Sequence, residues 1–285
     1  MNIISKKKIL AFELASELSL SIKGDRNQSV KNVGNIEYNE SNAIKFFKAH
    51  SECHLSGVVI GPSSLNAETL LISDNPRLDF CKALNFLIEN DYLQIQPEAS
   101  FVHPSSKIAD SAILEEGVTI GANCIVEHNV VIHKNTYIGE KCIIRANTVI
   151  GAQGFGFEQD VDGEWIRFPH LGSVIIGNNV EIGALNRVCV GSLGDTIIGS
   201  GVKTDNLVHI AHNCNIGDNV MLTACSELSG GVSLGENVWI GPNSTITEKV
   251  SIGKNALVGI GSLVRKNVAA GTVVAGSPAK FLKDR

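Results

Sequence analysis

Aromatic side chains are scarce in this chain: they make up 5% of 285 residues, with only 2 Trp and 3 Tyr. That leaves little for a core built on rings, and suits a narrow interior filled by Ile, Val, Ala and Cys. A basic excess is missing as well. The net charge of −5 argues against a broad nucleic-acid-binding surface. No Cys-x-x-Cys pair is present to suggest zinc. The 7 cysteines form an odd set, read as small buried hydrophobes in a reducing cytoplasm, not as a disulfide framework. Long apolar runs are lacking too. Lys6, Lys7 and Lys8 precede Ile9 to Phe12, but Glu13 and Glu17 break up that run, which is too short and too charged for a signal peptide or a membrane span.

What is present is a period. Val102, Ile108, Leu114, Ile120, Val126, Ile132, Ile138, Ile144 and Ile150 follow one another at six-residue steps. The series resumes at Ile176, Ile182 and Val188, then runs from Ile198 to Val264 with Thr204 as its one polar member. Neither a helix (period 3.6) nor an ordinary strand (period 2) has this spacing. A six-residue repeat predicts a parallel β-helix, with one short strand and one turn per hexapeptide. Three hexapeptides close a coil, so residues eighteen apart should stack roughly 4.8 Å from each other. Cys124, Cys142 and Cys214 fall at inward-facing positions of this frame.

Residues 1–98 lack the period. Helical patterning over residues 8–20 and 76–89, and short strands at 57–60 and 69–72, predict a small α/β domain. The solenoid is expected over 99–275, and 276–285 form a short basic tail after Gly276-Ser277-Pro278-Ala279-Lys280. Two interruptions stand out. Residues 151–175 are a long loop carrying Phe155, Phe157, Trp165, Phe168 and His170, and four extra residues lie near 191–194. A long loop in a regular scaffold is usually functional or disordered, and its rings favour an ordered loop lining a cleft.

The densest chemistry lies in Asn206-Leu207-Val208-His209-Ile210-Ala211-His212-Asn213. Ile210 points inward, so His209 and His212 face outward. Solvated turn histidines are the bland reading, and stacking weakens it. Gly230 is eighteen residues beyond His212, where a bare backbone N–H could meet an oxyanion. Glu227 is eighteen beyond His209, a carboxylate neighbour for that ring. An imidazole beside a backbone donor suits proton removal from an attacking amine. A zinc site using His209 and His212, with His170 or a neighbouring chain's histidine, is a weaker alternative, since the two rings lack a clear third partner in the sequence.

Gly154-Phe155-Gly156-Phe157, then Trp165, Pro169 to Gly172, Asp195-Thr196 and Asp205 to Asn213 resemble the UDP-3-O-acylglucosamine N-acyltransferase (LpxD) family. Asn75-Pro76-Arg77-Leu78 extends the likeness into the N-terminal domain. The resemblance implies a mainly β fold, a left-handed parallel β-helix, assembled as a homotrimer with active sites between subunits. It implies His212 as general base and Gly230 as oxyanion donor, with an N-terminal domain that grips the uracil of a nucleotide sugar. Tyr38 matches one of the two rings that sandwich uracil, while the second falls near Ile44. Phe155, Phe157, Trp165, Asn206, His209 and Glu227 are the further substrate-binding candidates.

The departures point elsewhere. The family loads its acyl chain from acyl carrier protein and ends in extra helices; this sequence closes at Arg285. Lys249 stands where the family has a second histidine, and Cys189 where it has an Asp. The Gly-Ser-Pro-Ala-Lys close resembles that of coenzyme A-dependent hexapeptide acetyltransferases. Lys249, Arg265, Lys266, Gly276, Pro278 and Lys280 are therefore the candidates for holding coenzyme A. The resulting expectation is an N-acyltransferase moving a short acyl group, acetyl or 3-hydroxybutyryl, from acyl-coenzyme A to a nucleotide-linked amino sugar of O-antigen or another surface polysaccharide. No metal is expected. The alternative is lipid A synthesis proper with acyl carrier protein, and a non-catalytic sugar-nucleotide-binding or scaffold protein is a third reading.

Overall fold

The computed structural model of the protein describes residues 3–34, 40–48 and 54–285, and divides into two compact units. One comprises Met1–Gln96 with Phe155–Pro169; the other comprises Pro97–Gly154 with His170–Arg285.

The second unit is a left-handed parallel β-helix, and its three faces hold 8, 10 and 8 strands. Register follows from the repeat. Ile120 pairs beside Ile138, Val126 beside Ile144, and Ile132 beside Ile150, each eighteen residues along the chain. These anchors are buried and form one continuous core. Asparagine recurs at the corners for a steric reason. Asn123, Asn129, Asn135, Asn147, Asn213, Asn219 and Asn237 all lie in the left-handed region, with φ between 58° and 62° apart from Asn219 at 57°. Asparagine tolerates that region better than most L-residues. The inward cysteines are buried, and burial pushes the Cys142 and Cys214 thiols up to about 11 and about 12.

The anchors of one face stay in register across both interruptions, while the strand entering the first carries a bulge between Ile150 and Ala152. Ile138 pairs with Ile176, thirty-eight residues later, which is one coil plus twenty inserted residues. Ile176 then pairs with Ile198, twenty-two residues later, one coil plus four. Thr204, the polar member of the anchor series, meets a polar partner where these offsets accumulate. Its Oγ1 accepts from the Gly183 N–H at 2.9 Å and from the Asn186 side-chain amide. Asn186 N–H donates to Thr148 Oγ1 at 3.1 Å, and Asn186 Oδ1 accepts from Val208 N–H at 2.6 Å. Thr148, Asn186 and Thr204 are thus a buried, hydrogen-bonded trio inside the solenoid.

Residues 276–285 are expected as a terminal tail. Instead Lys280–Asp284 pairs antiparallel with Thr272–Ala275 and extends the second face. The Ser277–Pro278 bond in the connecting turn is cis.

In the first unit a five-stranded sheet runs in the order Ser21–Gly24, Ala67–Ile72, Leu55–Gly61, Ala43–Phe46, Asn32–Val33. Helix α1 (Ala11–Glu17) is shorter than the expected 8–20. Ile9 is drawn into an antiparallel bridge with Val30, and Ser19, at φ 56°, ends the helical path. Helix α2 (Pro76–Glu89) matches its expectation, with Asn75 as N-cap and Pro76 in the first turn.

The long loop folds with this first unit, not with the solenoid that the sequence reading assigned it to. Phe157–Gln159 and Trp165–Arg167 form an antiparallel hairpin. Helix α2 holds it through Arg77 to Glu158 (3.0 Å), through the Asn85 amide donating to the Arg167 carbonyl (2.9 Å), and through Phe80 against Phe168.

Candidate active site

Stacking brings together the residues the repeat singled out in the solenoid. Gly231 N–H donates to the His212 carbonyl at 2.9 Å, which sets Gly230 one coil above the imidazole. The approach is close enough to demand glycine. A Cβ at 230 would lie 2.7 Å from His212 Cε1 and 2.8 Å from its Nε2. Space is the reason, since the Gly230 φ is not positive. Among the described residues the Gly230 N–H meets no acceptor, whereas the corresponding N–H of Ser200 donates to Asp218 at 2.7 Å.

Three further residues frame the imidazole, and sequence reasoning missed their roles. His170, 4% exposed, packs edge-to-face on His212 with ring centroids 5.3 Å apart. Gly154 backs both rings: a Cβ there would come within 2.8 Å of His170 Nε2 and 3.1 Å of His212 Cδ2. The Gly-Phe-Gly-Phe motif was the available signal, but it drew notice to its phenylalanines. Asn213 is the other omission. Its Oδ1 lies 3.0 Å from His212 Nδ1 and accepts from the Ser192 N–H (3.0 Å) and hydroxyl (2.7 Å).

Beside this group, Arg187, His209 and Glu227 occupy successive coils in register. Desolvation holds the His209 imidazole below its ordinary pKa; the Glu227 carboxylate opposes that shift, and Arg187 and His212 add to it. Ser229 donates its hydroxyl to Glu227 at 3.0 Å. Asn206 spends its side chain on a turn, accepting from the Ala184 N–H at 2.8 Å. Lys249 stacks above Gly231, and its N–H donates to the Gly230 carbonyl at 3.0 Å. Cys189, in place of the family Asp, is buried, and desolvation raises its pKa.

Phe155, Phe157 and Trp165 belong to the first unit. Phe155 is 90% exposed and Trp165 66%, while Arg167 stacks over Phe157 at 4.5 Å. Tyr38 lies outside the described residues. Arg265, Lys266, Pro278 and Lys280 line a cavity of about 590 Å³ at the C-terminal end of the solenoid, together with Val268, Val274 and Phe281. Gly276, at φ 101°, opens the turn beside it. Among the described residues, no trio of His, Cys, Asp or Glu is placed to hold a metal ion, and no helix is long and apolar enough to cross a membrane.

A family profile described as bacterial transferase hexapeptide (six repeats) matches residues 117–152, 195–230 and 231–266. UDP-3-O-acylglucosamine N-acyltransferase of Coxiella burnetii is 30% identical over 251 residues, covering 76% of this chain and 73% of that protein. The chain belongs to the UDP-3-O-acylglucosamine N-acyltransferase family. It is an enzyme that transfers an acyl group to an amine. The same-named enzyme of Dechloromonas aromatica is 51% identical over 80 residues, covering 28% of this chain and 23% of that one. Among solved structures, UDP-N-acetylglucosamine O-acyltransferase of Moraxella catarrhalis is 29% identical with a TM-score of 0.53, covering 65% of this chain and 72% of that one. UDP-N-acetylglucosamine acyltransferase of Campylobacter jejuni, 21% identical with a TM-score of 0.55 over 65% of this chain and 73% of that one, shares the fold.

Membership in this N-acyltransferase family corrects the expected acyl donor. Acyl-coenzyme A was inferred from the C-terminal turn and its cations, whereas the family's acyl group arrives on acyl carrier protein. With that donor set aside, Lys249, Arg265, Lys266, Gly276, Pro278 and Lys280 have no coenzyme A to hold, and the relatives lend the O-antigen link no support.

Proposed function

We propose that this chain acylates the glucosamine amine of a UDP-3-O-acylglucosamine in lipid A synthesis, taking the acyl group from acyl carrier protein. His212 Nε2 removes a proton as the amine nitrogen attacks the thioester carbonyl. The Gly230 N–H donates to the oxyanion that forms on the carbonyl oxygen. As the tetrahedral intermediate collapses, the C–N bond is complete, the C–S bond breaks, and the thiol leaves with the proton held by the imidazolium. The observation that carries this reading is the bare, unaccepted Gly230 N–H one coil above the imidazole. Tyr38, Phe155, Phe157 and Trp165 are proposed to hold the sugar nucleotide, in a homotrimer whose clefts lie between subunits.

The test is release of carrier-protein thiol on mixing the enzyme with 3-hydroxyacyl carrier protein and UDP-3-O-acylglucosamine. His212→Ala should lower kcat by roughly 10²–10⁴-fold while the melting temperature holds. Near-normal turnover by that variant would remove His212 from the base role. A monomer in sedimentation equilibrium at micromolar concentration would remove the shared clefts.

A further inference from the structure

We infer that Asn213 is the positioning residue of His212. It sets which ring nitrogen carries the proton, and it ties that choice to the four-residue bulge at 191–194. The mechanistic weight of the inference rests on the proposed base role of His212, but the tautomer itself does not.

The amide orientation of Asn213 is fixed from two sides. The Ser192 N–H, which can only donate, lies 3.0 Å from Oδ1, and Nδ2 donates to the Gly194 carbonyl at 3.2 Å. A flipped amide would set NH₂ against N–H at one end and oxygen against carbonyl oxygen at the other, so the assignment is determined by obligatory partners. Oδ1 is therefore an acceptor, and His212 Nδ1 at 3.0 Å must be the nitrogen that bears hydrogen. The lone pair is left on Nε2, the ring atom that with Cε1 lies nearest a would-be Gly230 Cβ. Proton removal at that atom needs this tautomer.

The backbone makes the arrangement possible. Asn213 sits at a corner with φ 60°, and its own N–H donates to Thr196 Oγ1 at 2.9 Å. The bulge brings Ser192 and Gly194 to this corner, and closely packed glycines let it do so. A Cβ on Gly191 would lie 1.8 Å from the Gly194 carbonyl oxygen, and one on Gly172 would lie 2.1 Å from it. The four extra residues thus supply the groups that orient Asn213.

Nitrogen-15 imidazole spectra of the unliganded full-length enzyme, assigned by comparison with His212→Ala, read the tautomer without any substrate. The expected result is hydrogen on Nδ1 and a lone pair on Nε2. Asn213→Asp places a carboxylate against Nδ1–H and should raise the acid limb of the kcat/KM–pH profile by roughly one unit. Asn213→Leu should lose the tautomer preference and lower kcat by at least about tenfold, with the KM of the sugar nucleotide nearly unchanged. Ser192→Ala removes only the hydroxyl bond to the same oxygen, so it should reduce the melting temperature but leave tautomer and acid limb alone. Hydrogen on Nε2 in the wild type overturns the inference, and so does an acid limb that moves equally in Ser192→Ala and Asn213→Asp. Should Asn213→Asp fail to fold, the wild-type spectrum still decides. Loss of the base role through an active His212→Ala enzyme would leave the tautomer result standing, so the two failures are distinguishable.

Discussion

Coils before the hairpin excursion and coils after it obey the same six-residue rule, yet one outward-facing column of the later coils is left open. Stacked charges are satisfied on both sides of the excursion, Lys254 on Glu236 among the later ones. His133 meets Glu115 at 3.0 Å, and Arg145 bridges Glu127 at 2.7 Å and Glu181 at 2.6 Å. In the later coils His212 is stacked against a glycine, and the N–H above it meets no acceptor among the described residues. The same geometry that closes one set of groups leaves another set open. Chemistry is proposed where the column is left incomplete.

The sharpest way to break this contrast is to fill the open position. Gly230→Ala keeps a permitted backbone but sets a methyl 2.7 Å from His212 Cε1, so the ring must shift. Displacement of a catalytic group by an ångström can cost about 10²-fold, and kcat in the thiol-release assay should fall by that order. Placed in a His212→Ala background, the same change should leave the melting temperature unaltered. A fully active Gly230→Ala enzyme would separate the close approach from catalysis.

At the junction between the two groups of coils, Thr204→Val should be the most destabilising conservative change. It strips the acceptor from the Gly183 N–H and the Asn186 amide. Leaving buried donors unsatisfied costs about 1–3 kcal/mol each, readable as a lower urea midpoint with unchanged slope. An unchanged midpoint would mean that the trio is reorganised without loss.

The legibility of the sequence follows the same line. A strict period makes the anchors, the stacking of His209 with Glu227, and the approach of Gly230 to His212 deducible by counting. Counting says nothing about Asn213, because it looks like every other corner asparagine and differs only in what the bulge brings to it. The residue 155–169 hairpin has no period, so nothing local reveals that it folds on α2. The cations near Lys280 were legible as charges but not as a site for any one donor, and kinship across most of the chain corrected that inference.

A subtler contrast concerns pH. Desolvation lowers the His209 pKa in the folded state. The unfolded chain then binds more protons below the ordinary histidine value of about 6.5, so this contribution is intact above that pH and is lost as pH falls toward the depressed folded value. Urea midpoints measured at pH 7.5 and 5.5 should differ less in His209→Gln than in the wild type.

The smallest effect is expected from the satisfied ladder. Arg145 is 41% exposed and its partners 31% and 32%, and exposed pairs contribute roughly 0.2–1 kcal/mol each. Arg145→Ala should lower stability slightly at low ionic strength, and 1 M salt should erase most of the difference. A loss that persists in high salt would show that the guanidinium acts through packing.

A chain of near-identical hexapeptides faces an ambiguity that an ordinary core does not. Sliding one group of coils past the other by a whole turn would return aliphatic anchors to aliphatic positions, so hydrophobic burial alone hardly distinguishes the slipped arrangement from the correct one. Thr148, Asn186 and Thr204 remove that degeneracy. Asn186 bonds both threonines and the Val208 N–H, Thr148 donates to the Gly183 carbonyl and Thr204 accepts from the Gly183 N–H, so a slip would part these groups from their partners. The trio works as a key cut for one lock, fixing how much chain must leave the solenoid before it closes again.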